Sequence, residues 1–572
     1  MSYTDHIANK QTPQSEQARD DQVKNTAGGY GFEISDWKRL ERFLIIGNEG
    51  GSYYATERKL TVENCSAIQR LLKIDGKKVV DMILEVSQGG RASKNLPAIF
   101  ALAITSVFGN QQTRAYANKM VPYVCRYSTD LYTWVNAVNE LKNGKKGSGL
   151  RRAIGRWYVK KDTRQLAYQM CKYPARSIKE DRKAKGKVWG HRDLLRIARP
   201  GLNKQTSSGK PDPALTTPSN EHNLVFRYAV RGIGNENAIS PELLTQWQDN
   251  ENLKYIYAHE KAKVSESSAE IVQLIEDFNI TRESVPNHLF NNSVWSALLQ
   301  KMPMTALIRN LGRMTASGVL KPLSDDTIFV ANTLTSEEAL QGARIHPMNV
   351  FLAMTIYNRG QGERSSWTPV PAISDALEKA FYASFKYVEP TNKKILLAVD
   401  VSGSMSCSCQ GNSVITAAQA AGVMAMAIAH TEPNHHIVAF SSKGSWGSND
   451  NQLVKLPITS SDSLKSVYNK INAINMGWTD CALPMLYASE EKLDVDAFVI
   501  LTDNESWAGD VHPFEAMAQY RKNFNSRSKL VSLAFSASNY SVADPNDAGM
   551  MDISGLDSAV PKILNNFIAD KI

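Results

Sequence analysis

The sequence predicts an all-helical repeat region followed by a doubly wound α/β domain, and three observations predict it. From about residue 60 to 385, short amphipathic segments follow one another with little strand-like alternation. The run Ile395-Leu-Leu-Ala-Val399 is apolar at every position, as in a parallel strand buried on both faces. After Pro390 such strands alternate with helical segments. A chain of 572 residues also exceeds what one hydrophobic core serves, so separate domains are expected.

Residues 1–30 are rich in Gln, Asn, Asp and Lys and have few apolar anchors, so they read as a flexible tail. A helical period starts at Trp37-Lys-Arg-Leu-Glu-Arg-Phe-Leu44 and stops at the breaker Gly47-Asn-Glu-Gly-Gly51. Helical spacing of apolar residues then predicts Val62–Lys73, Lys77–Ser87, Leu96–Phe108, Thr113–Cys125 and Asp130–Leu141. Helix density of this kind suggests an α-solenoid, although no fixed period is visible. Lys145–Lys161 reads as a basic helix and Tyr173–Lys187 as a basic loop, with a further helix opening at His191. Gly201–Asn220, rich in Ser, Thr, Pro, Gly and Lys, reads as a surface insertion. Helices resume at Val294–Gln300, Met304–Arg313, Glu337–Gln341 and Pro347–Tyr357, and Ile373–Phe385 closes the series.

Beyond Pro390 the strands are Ile395–Val399, Ile437–Phe440, Ala497–Leu501 and Leu530–Ala534. The helices between and after them are Ile415–His430, Ser463–Ala473, Pro513–Lys522 and Ser558–Asp570. The expected organisation is a tail over 1–30, a helical domain over 31–388 and an α/β domain over 389–572.

Charge is unevenly distributed. From Lys393 onward there are 13 basic and 18 acidic residues, hence −5, which leaves +14 of the total +9 on the rest. Within Lys142–Lys210 there are 21 basic and 4 acidic residues, hence +17. Such a segment repels itself unless an anion lies on it, and interleaved Trp157, Tyr158, Tyr168, Tyr173 and Trp189 supply stacking or core positions. Nucleic acid is the expected partner; a solvated charge run is the alternative. Six cysteines in so long a chain do not make a disulfide scaffold and read as free thiols in a reducing cytoplasm. No apolar stretch is long enough to span a bilayer, and the first residues lack the layout of a signal peptide, so no membrane role is expected.

The α/β domain carries the strongest chemical signal. Its first strand runs into Asp400-Val-Ser402-Gly-Ser404, and Thr479-Asp480 lies in a loop ahead of a helix. Asp503 ends the strand beginning at Phe498. Ligands of open α/β folds gather at the C-terminal ends of strands, so Asp400, Ser402, Ser404, Thr479 and Asp503 can converge. Two carboxylates and three hydroxyls suit a hard divalent cation, Mg2+ first, with Mn2+ or Ca2+ as alternatives. The competing reading makes Asp400 and Asp503 helix caps. The Cys407-Ser-Cys409 loop beside this motif reads as a loop of small residues.

The motif is that of the von Willebrand factor A module with its metal-ion-dependent adhesion site, which those five residues match position by position. Longer segments resemble the Ro ribonucleoprotein (Ro autoantigen) family. In the α/β region they are Val388-Glu-Pro-Thr, Leu396-Leu-Ala-Val-Asp-Val-Ser, Thr479-Asp-Cys-Ala-Leu-Pro-Met, Phe498-Val-Ile-Leu-Thr-Asp-Asn-Glu and Val511-His-Pro. Upstream, Arg42-Phe-Leu, Glu49-Gly-Gly-Ser-Tyr-Tyr, Trp189-Gly-His-Arg-Asp-Leu-Leu-Arg196, Leu311-Gly-Arg-Met-Thr and Ala343-Arg-Ile-His-Pro resemble its TROVE domain. Arg176–Lys187 and Gly201–Asn220 look longer than the family pattern. The resemblance implies a ring of HEAT-like helical repeats closed by the von Willebrand module. It also implies binding of Y RNA-like small noncoding RNA and of single-stranded 3′ ends of misfolded RNAs, with an exoribonuclease as a potential protein partner. RNA contacts are expected at Lys172, His191, Arg192 and Arg196 by match, and at Arg176 and Lys187 by charge and position. Trp157 and Trp189 are expected in the core, and Arg196 is a candidate ion partner of Asp193.

No nucleophile–base pair accompanies the carboxylates, so a nonenzymatic protein is expected. The rivals are a metal-dependent protein-adhesion module and, less favoured, a metal-dependent nuclease.

Overall fold

The computed structural model describes residues 11–46, 66–89, 95–145, 147–178, 187–200, 219–234, 237–343, 347–362, 365–387, 390–409, 412–443, 450–474, 477–535, 540–554 and 560–570. The chain forms two compact units: Ile68–Gly89 with Asn95–Val330, and Met1–Ala67 with Gly90–Lys94 and Ala331–Ile572. The strands, numbered in chain order, are β1 Gln22–Lys24, β2 Tyr30–Glu33, β3 Ala175–Ile178, β4 Lys187–Gly190, β5 Ile395–Asp400, β6 Ser408–Cys409 and β7 Asn412–Thr416. They continue with β8 His435–Lys443, β9 Asp450–Lys455, β10 Ala497–Thr502, β11 Lys529–Ala534, β12 Tyr540–Ser541 and β13 Met550–Ser554.

The first unit is helical, as its apolar spacing requires. Leu96–Phe108 packs against Ser128–Leu141, and Gln111–Val124 against Ser148–Lys160, so alternate helices share a layer. Helix starts are fixed by short polar side chains: Asn110 accepts from the Thr113 N–H, Asp162 from Gln165 and Ser219 from His222. The two helices expected over Val62–Lys73 and Lys77–Ser87 form one helix, Ser66–Gln88, broken at Asp75 (φ −149°, ψ 87°); residues 62–65 lie outside the described residues. Trp134, Trp157 and Tyr158 are fully buried, and Trp189 nearly so, which places Trp157 and Trp189 in the core. Their indole N–H groups donate to the Cys125 carbonyl (2.6 Å) and to Asn136 Oδ1 (3.0 Å). The expected basic loop Tyr173–Lys187 contains an antiparallel hairpin instead: β3 pairs with β4, Arg176 opposite Trp189 and Ile178 opposite Lys187. Residues 179–186, and the expected insertion from 201 to 218, lie outside the described residues.

The second unit holds a six-stranded sheet in the order β13-β11-β10-β5-β8-β9. All its pairings are parallel except β8 with β9. Every residue of β5 and β10 is buried, so both are apolar until their last residue or two. Helix Ala417–Thr431, built from Ala, Met, Ile and Val, is buried along nearly its whole length. The antiparallel strand β9 (Asp-Asn-Gln-Leu-Val-Lys) escapes a sequence reading because edge strands carry polar residues.

The expectation of a flexible tail over 1–30 is corrected for residues 11–30, which are folded onto the α/β domain. β1 and β2 form a small sheet with β12. Phe32 meets Phe514 edge to face at 5.2 Å, and the Arg19 guanidinium lies 4.7 Å from the Phe32 ring centre. The segment's anchors are mostly polar groups, Gln14, Gln22 and Asn25, all buried, which is why low hydrophobicity misleads here. Helix Asp36–Ile46 follows and drives Arg42 into the interior, where its Nη2 lies 2.6 Å from Asp552 Oδ2 on β13.

Removing one partner of a buried ion pair strands the other charge. Asp552→Ala is therefore expected to cost about 3–5 kcal/mol, read from urea denaturation of the full chain. A loss below about 1 kcal/mol would contradict the pairing.

Candidate metal centre and basic surface

Parallel pairing of β5 with β10, Val399 opposite Leu501, brings Asp400 and the pair Thr502-Asp503 to the same edge of the sheet. Asp400 is 1% exposed. Its Oδ1 accepts the Ser402 N–H (2.8 Å) and its Oδ2 the Thr502 hydroxyl (2.8 Å). The Ser402 and Ser404 hydroxyls are 2.9 Å apart. Ser404 is also hydrogen-bonded to Asp503, whose Oδ1 accepts the Glu505 N–H (3.1 Å). Thr479 is buried, and its carbonyl accepts the N–H groups of Trp507 (3.1 Å) and Ala508 (3.2 Å), joining its loop to the one that carries Asp503.

Burial pushes the Asp400 carboxyl up to about 7, and the charge of Asp503 adds to the rise. Burial raises Asp503 as well. Among the described residues no Lys or Arg forms an ion pair with Asp400. Two buried carboxylates beside facing hydroxyls form a hard-oxygen donor set, and a divalent cation fits it. Among the described residues no group of three or more His, Cys, Asp or Glu converges, so this set, with hydroxyls as the remaining donors, is unlike a zinc site. Sequence reasoning missed Thr502 and Ser506. Thr502 reads as an ordinary strand residue, and Ser506 matters only because its Oγ accepts the Cys481 N–H (2.9 Å) across the two loops.

In the helical unit, Arg192 and Arg196 are exposed on helix His191–Ala198, one turn apart. Asp193 accepts the Gly190 N–H (3.1 Å) as a helix cap and forms no ion pair with Arg196. Lys172 ends helix Thr163–Lys172 half-buried, its Nζ 2.8 Å from the Tyr168 hydroxyl and 5.5 Å from the Tyr173 ring centre. Arg176 and Lys187 stand on opposite strands of the β3–β4 hairpin. Arg151, Arg152, Lys160, Arg164 and Arg199 are exposed on the neighbouring elements; only charge density could have pointed to them.

His191 is placed otherwise than expected. The ring is 3% exposed, its Nδ1 is 2.8 Å from the Tyr158 hydroxyl, and it meets Tyr132 and Tyr158 edge to face. Burial pushes its pKa down to about 3, so it is neutral at physiological pH. It seats the start of its helix in the core and does not offer a donor to phosphate at the surface.

Residues 23–393 match the TROVE domain model and residues 394–568 the Ro60 vWA domain model. The chain belongs to the Ro60 family. It is 35% identical to RNA-binding protein RO60 of Caenorhabditis elegans, over 98% of this chain and 92% of that one. It is also 35% identical to RNA-binding protein RO60 of Deinococcus radiodurans, over 98% of each. The crystal structure of the Deinococcus radiodurans RO (RSR) protein superposes with a TM-score of 0.70 at 33% identity, covering 94% of this chain and all of that one. The family fold, a helical TROVE region with a vWA-like sheet domain, is the one described above.

The pH dependence of the vWA site follows from Asp400. Without a cation its proton is held to about 7 in the folded state but only to the ordinary carboxylate value of 3.8 when unfolded. The folded state thus binds the extra proton in that window, and metal-free stability falls as pH rises through it. A divalent cation bound at Asp400 would take the proton's place. The Tm gain from saturating Mg2+ should therefore be larger at pH 7.5 than at pH 5 and absent in Asp400→Ala, as read by differential scanning fluorimetry. An equal gain at both pH values, or one that survives the substitution, contradicts the assignment.

Proposed function

We propose that this protein is a nonenzymatic RNA-binding protein acting in small-RNA metabolism or quality control. Its RNA ligands are Y RNA-like small noncoding RNA and the single-stranded 3′ ends of misfolded RNAs, with an exoribonuclease as the expected protein partner. The observation that carries the reading is the set of exposed arginines, Arg192 and Arg196 with Arg151, Arg152 and Arg164, on a family fold whose curated relatives are named RNA-binding proteins. Such side chains neutralise phosphates, giving affinity that is steeply salt-dependent and little dependent on sequence. Lys172, lying beside Tyr168 and Tyr173, adds a cation next to ring faces on which an unstacked base can lie.

The vWA site belongs to a second function of the same molecule. Asp400, Ser402, Ser404, Thr479 and Asp503 would hold a divalent cation, Mg2+ by preference. It would supply a Lewis-acidic point for an acidic group of a partner protein. With Asp400 and Asp503 both engaged as metal donors, the reading is adhesion rather than hydrolysis.

The test is a gel-shift series with a stem-loop, a duplex bearing a single-stranded 3′ tail and a blunt duplex, each across a salt titration and with or without EDTA. The tailed duplex and the stem-loop should bind more tightly than the blunt duplex, and EDTA should leave RNA affinity unchanged. Arg192→Glu with Arg196→Glu should weaken binding on the order of ten-fold or more and lower the salt slope by about two, with an unchanged Tm. His191→Ala should instead lower stability, by about 2–4 kcal/mol, because it empties a core position. Equal affinity of the double arginine variant and the wild type for every RNA contradicts the surface assignment.

A further inference from the structure

The two loops that carry Thr479 and Asp503 have no regular secondary structure of their own; their shape must be fixed from outside. The N-terminal segment Thr12–Glu33 does this. Gln14 is 1% exposed, and its side-chain amide makes three hydrogen bonds. Nε2 donates to Asp480 Oδ1 (2.7 Å), next to Thr479, and to the Val511 carbonyl (2.9 Å). Oε1 accepts the Ser506 hydroxyl (2.6 Å), and Ser506 in turn accepts the Cys481 N–H. A single amide thus ties the Thr479 loop to the segment that follows Asp503.

A second contact lies beside the first. The Asn25 amide donates to the Ser506 carbonyl (2.7 Å), while its Oδ1 accepts the Gly29 N–H (2.8 Å). Gly29 sits so close to this segment that a Cβ there would come within 2.3 Å of the Ser506 carbonyl oxygen and 2.7 Å of Trp507 Cα. Trp507 is the residue whose N–H holds the Thr479 carbonyl. Closer still to the carboxylate, the Ala27 N–H donates to Glu505 (3.1 Å), whose own N–H is bound by Asp503. The far end of the segment is pinned separately, where Thr12 bonds the Glu515 carboxylate through its N–H (2.9 Å) and its hydroxyl (3.0 Å).

We propose that this segment is a positioning strap for the vWA cation site, with Gln14, Asn25 and Gly29 setting the spacing of the Thr479 and Asp503 loops. The inference rests on reading Asp400, Ser402, Ser404, Thr479 and Asp503 as a divalent-cation site. Because the strap fixes the donor geometry, strap docking and cation binding reinforce each other. Linkage makes the coupling reciprocal: a docked strap raises cation affinity, and a bound cation holds the strap down. Partner engagement through the cation and the order of the N-terminal segment then become one equilibrium.

The test uses the full chain and Mn2+ or Mg2+ as the probe, with affinity measured by isothermal titration calorimetry. Wild type should bind one cation at this site, and Asp400→Ala should abolish it; if wild type binds none, the underlying site assignment fails. Given wild-type binding, Gln14→Met, which keeps the volume but removes all three hydrogen bonds, should weaken cation affinity on the order of ten-fold. Asn25→Ala should act in the same direction. Hydrogen exchange of the wild type provides a measurement free of any folding defect: saturating Mg2+ should slow backbone exchange across residues 12–30, and Asp400→Ala should show no slowing. Wild-type affinity in Gln14→Met, or strap exchange indifferent to a cation that demonstrably binds, overturns the proposal.

Discussion

Two carboxylates, Asp400 and Asp503, stand buried at the ends of neighbouring parallel strands, and much of the C-terminal unit is arranged around their mutual repulsion. Burying a pair of like charges is costly, and directed hydrogen bonds from Ser402, Thr502 and Glu505 offset part of that cost. A divalent cation bound there would offset the rest. Order in the surrounding loops follows from the same constraint: Asn504, with φ +69°, turns the chain sharply after Asp503 and is locked by the Ser532 hydroxyl (2.7 Å). The N-terminal segment and the buried Arg42–Asp552 pair brace this edge from two further directions.

The helical unit follows a different rule. Its largest aromatic residues, Trp134, Trp157 and Tyr158 among them, are buried in the core, while Arg151, Arg152, Arg164, Arg192 and Arg196 stay at the surface. Several cations rest on ring faces instead of on carboxylates: Lys161 lies 4.8 Å from the Trp157 ring centre and Lys160 3.7 Å from that of Tyr123. Contact with a ring face leaves the cation its full charge, so it can still attract an incoming anion. One unit thus buries two acids at one point, and the other carries an excess of positive charge across a surface.

The sequence was most readable where burial and chemistry coincide. β5 is apolar for five residues and then ends in Asp400, so the buried strand and the carboxylate at its end both follow from one short stretch. Helix Leu96–Phe108 follows from its apolar spacing. Polar burial was illegible. Gln14, Gln22 and Asn25 look like solvated tail residues, yet they are interior because their partners lie nearly 500 positions away in the chain. His191 was misplaced for a related reason: a histidine among arginines suggests a surface, and only the packing of Tyr132 and Tyr158 around it reveals a core position. The β3–β4 hairpin stayed hidden because the segment's lysines and arginines mask its strand pairing.

The central claim is that RNA lies on the basic helices of the TROVE region and not on the vWA sheet domain. Photo-crosslinking of the full chain to a 4-thiouridine-substituted duplex with a single-stranded 3′ tail, followed by peptide mass spectrometry, tests it most directly. The account predicts crosslinked peptides within residues 148–199, among them the stretch containing Arg192 and Arg196. Crosslinks confined to residues 394–568 would contradict it.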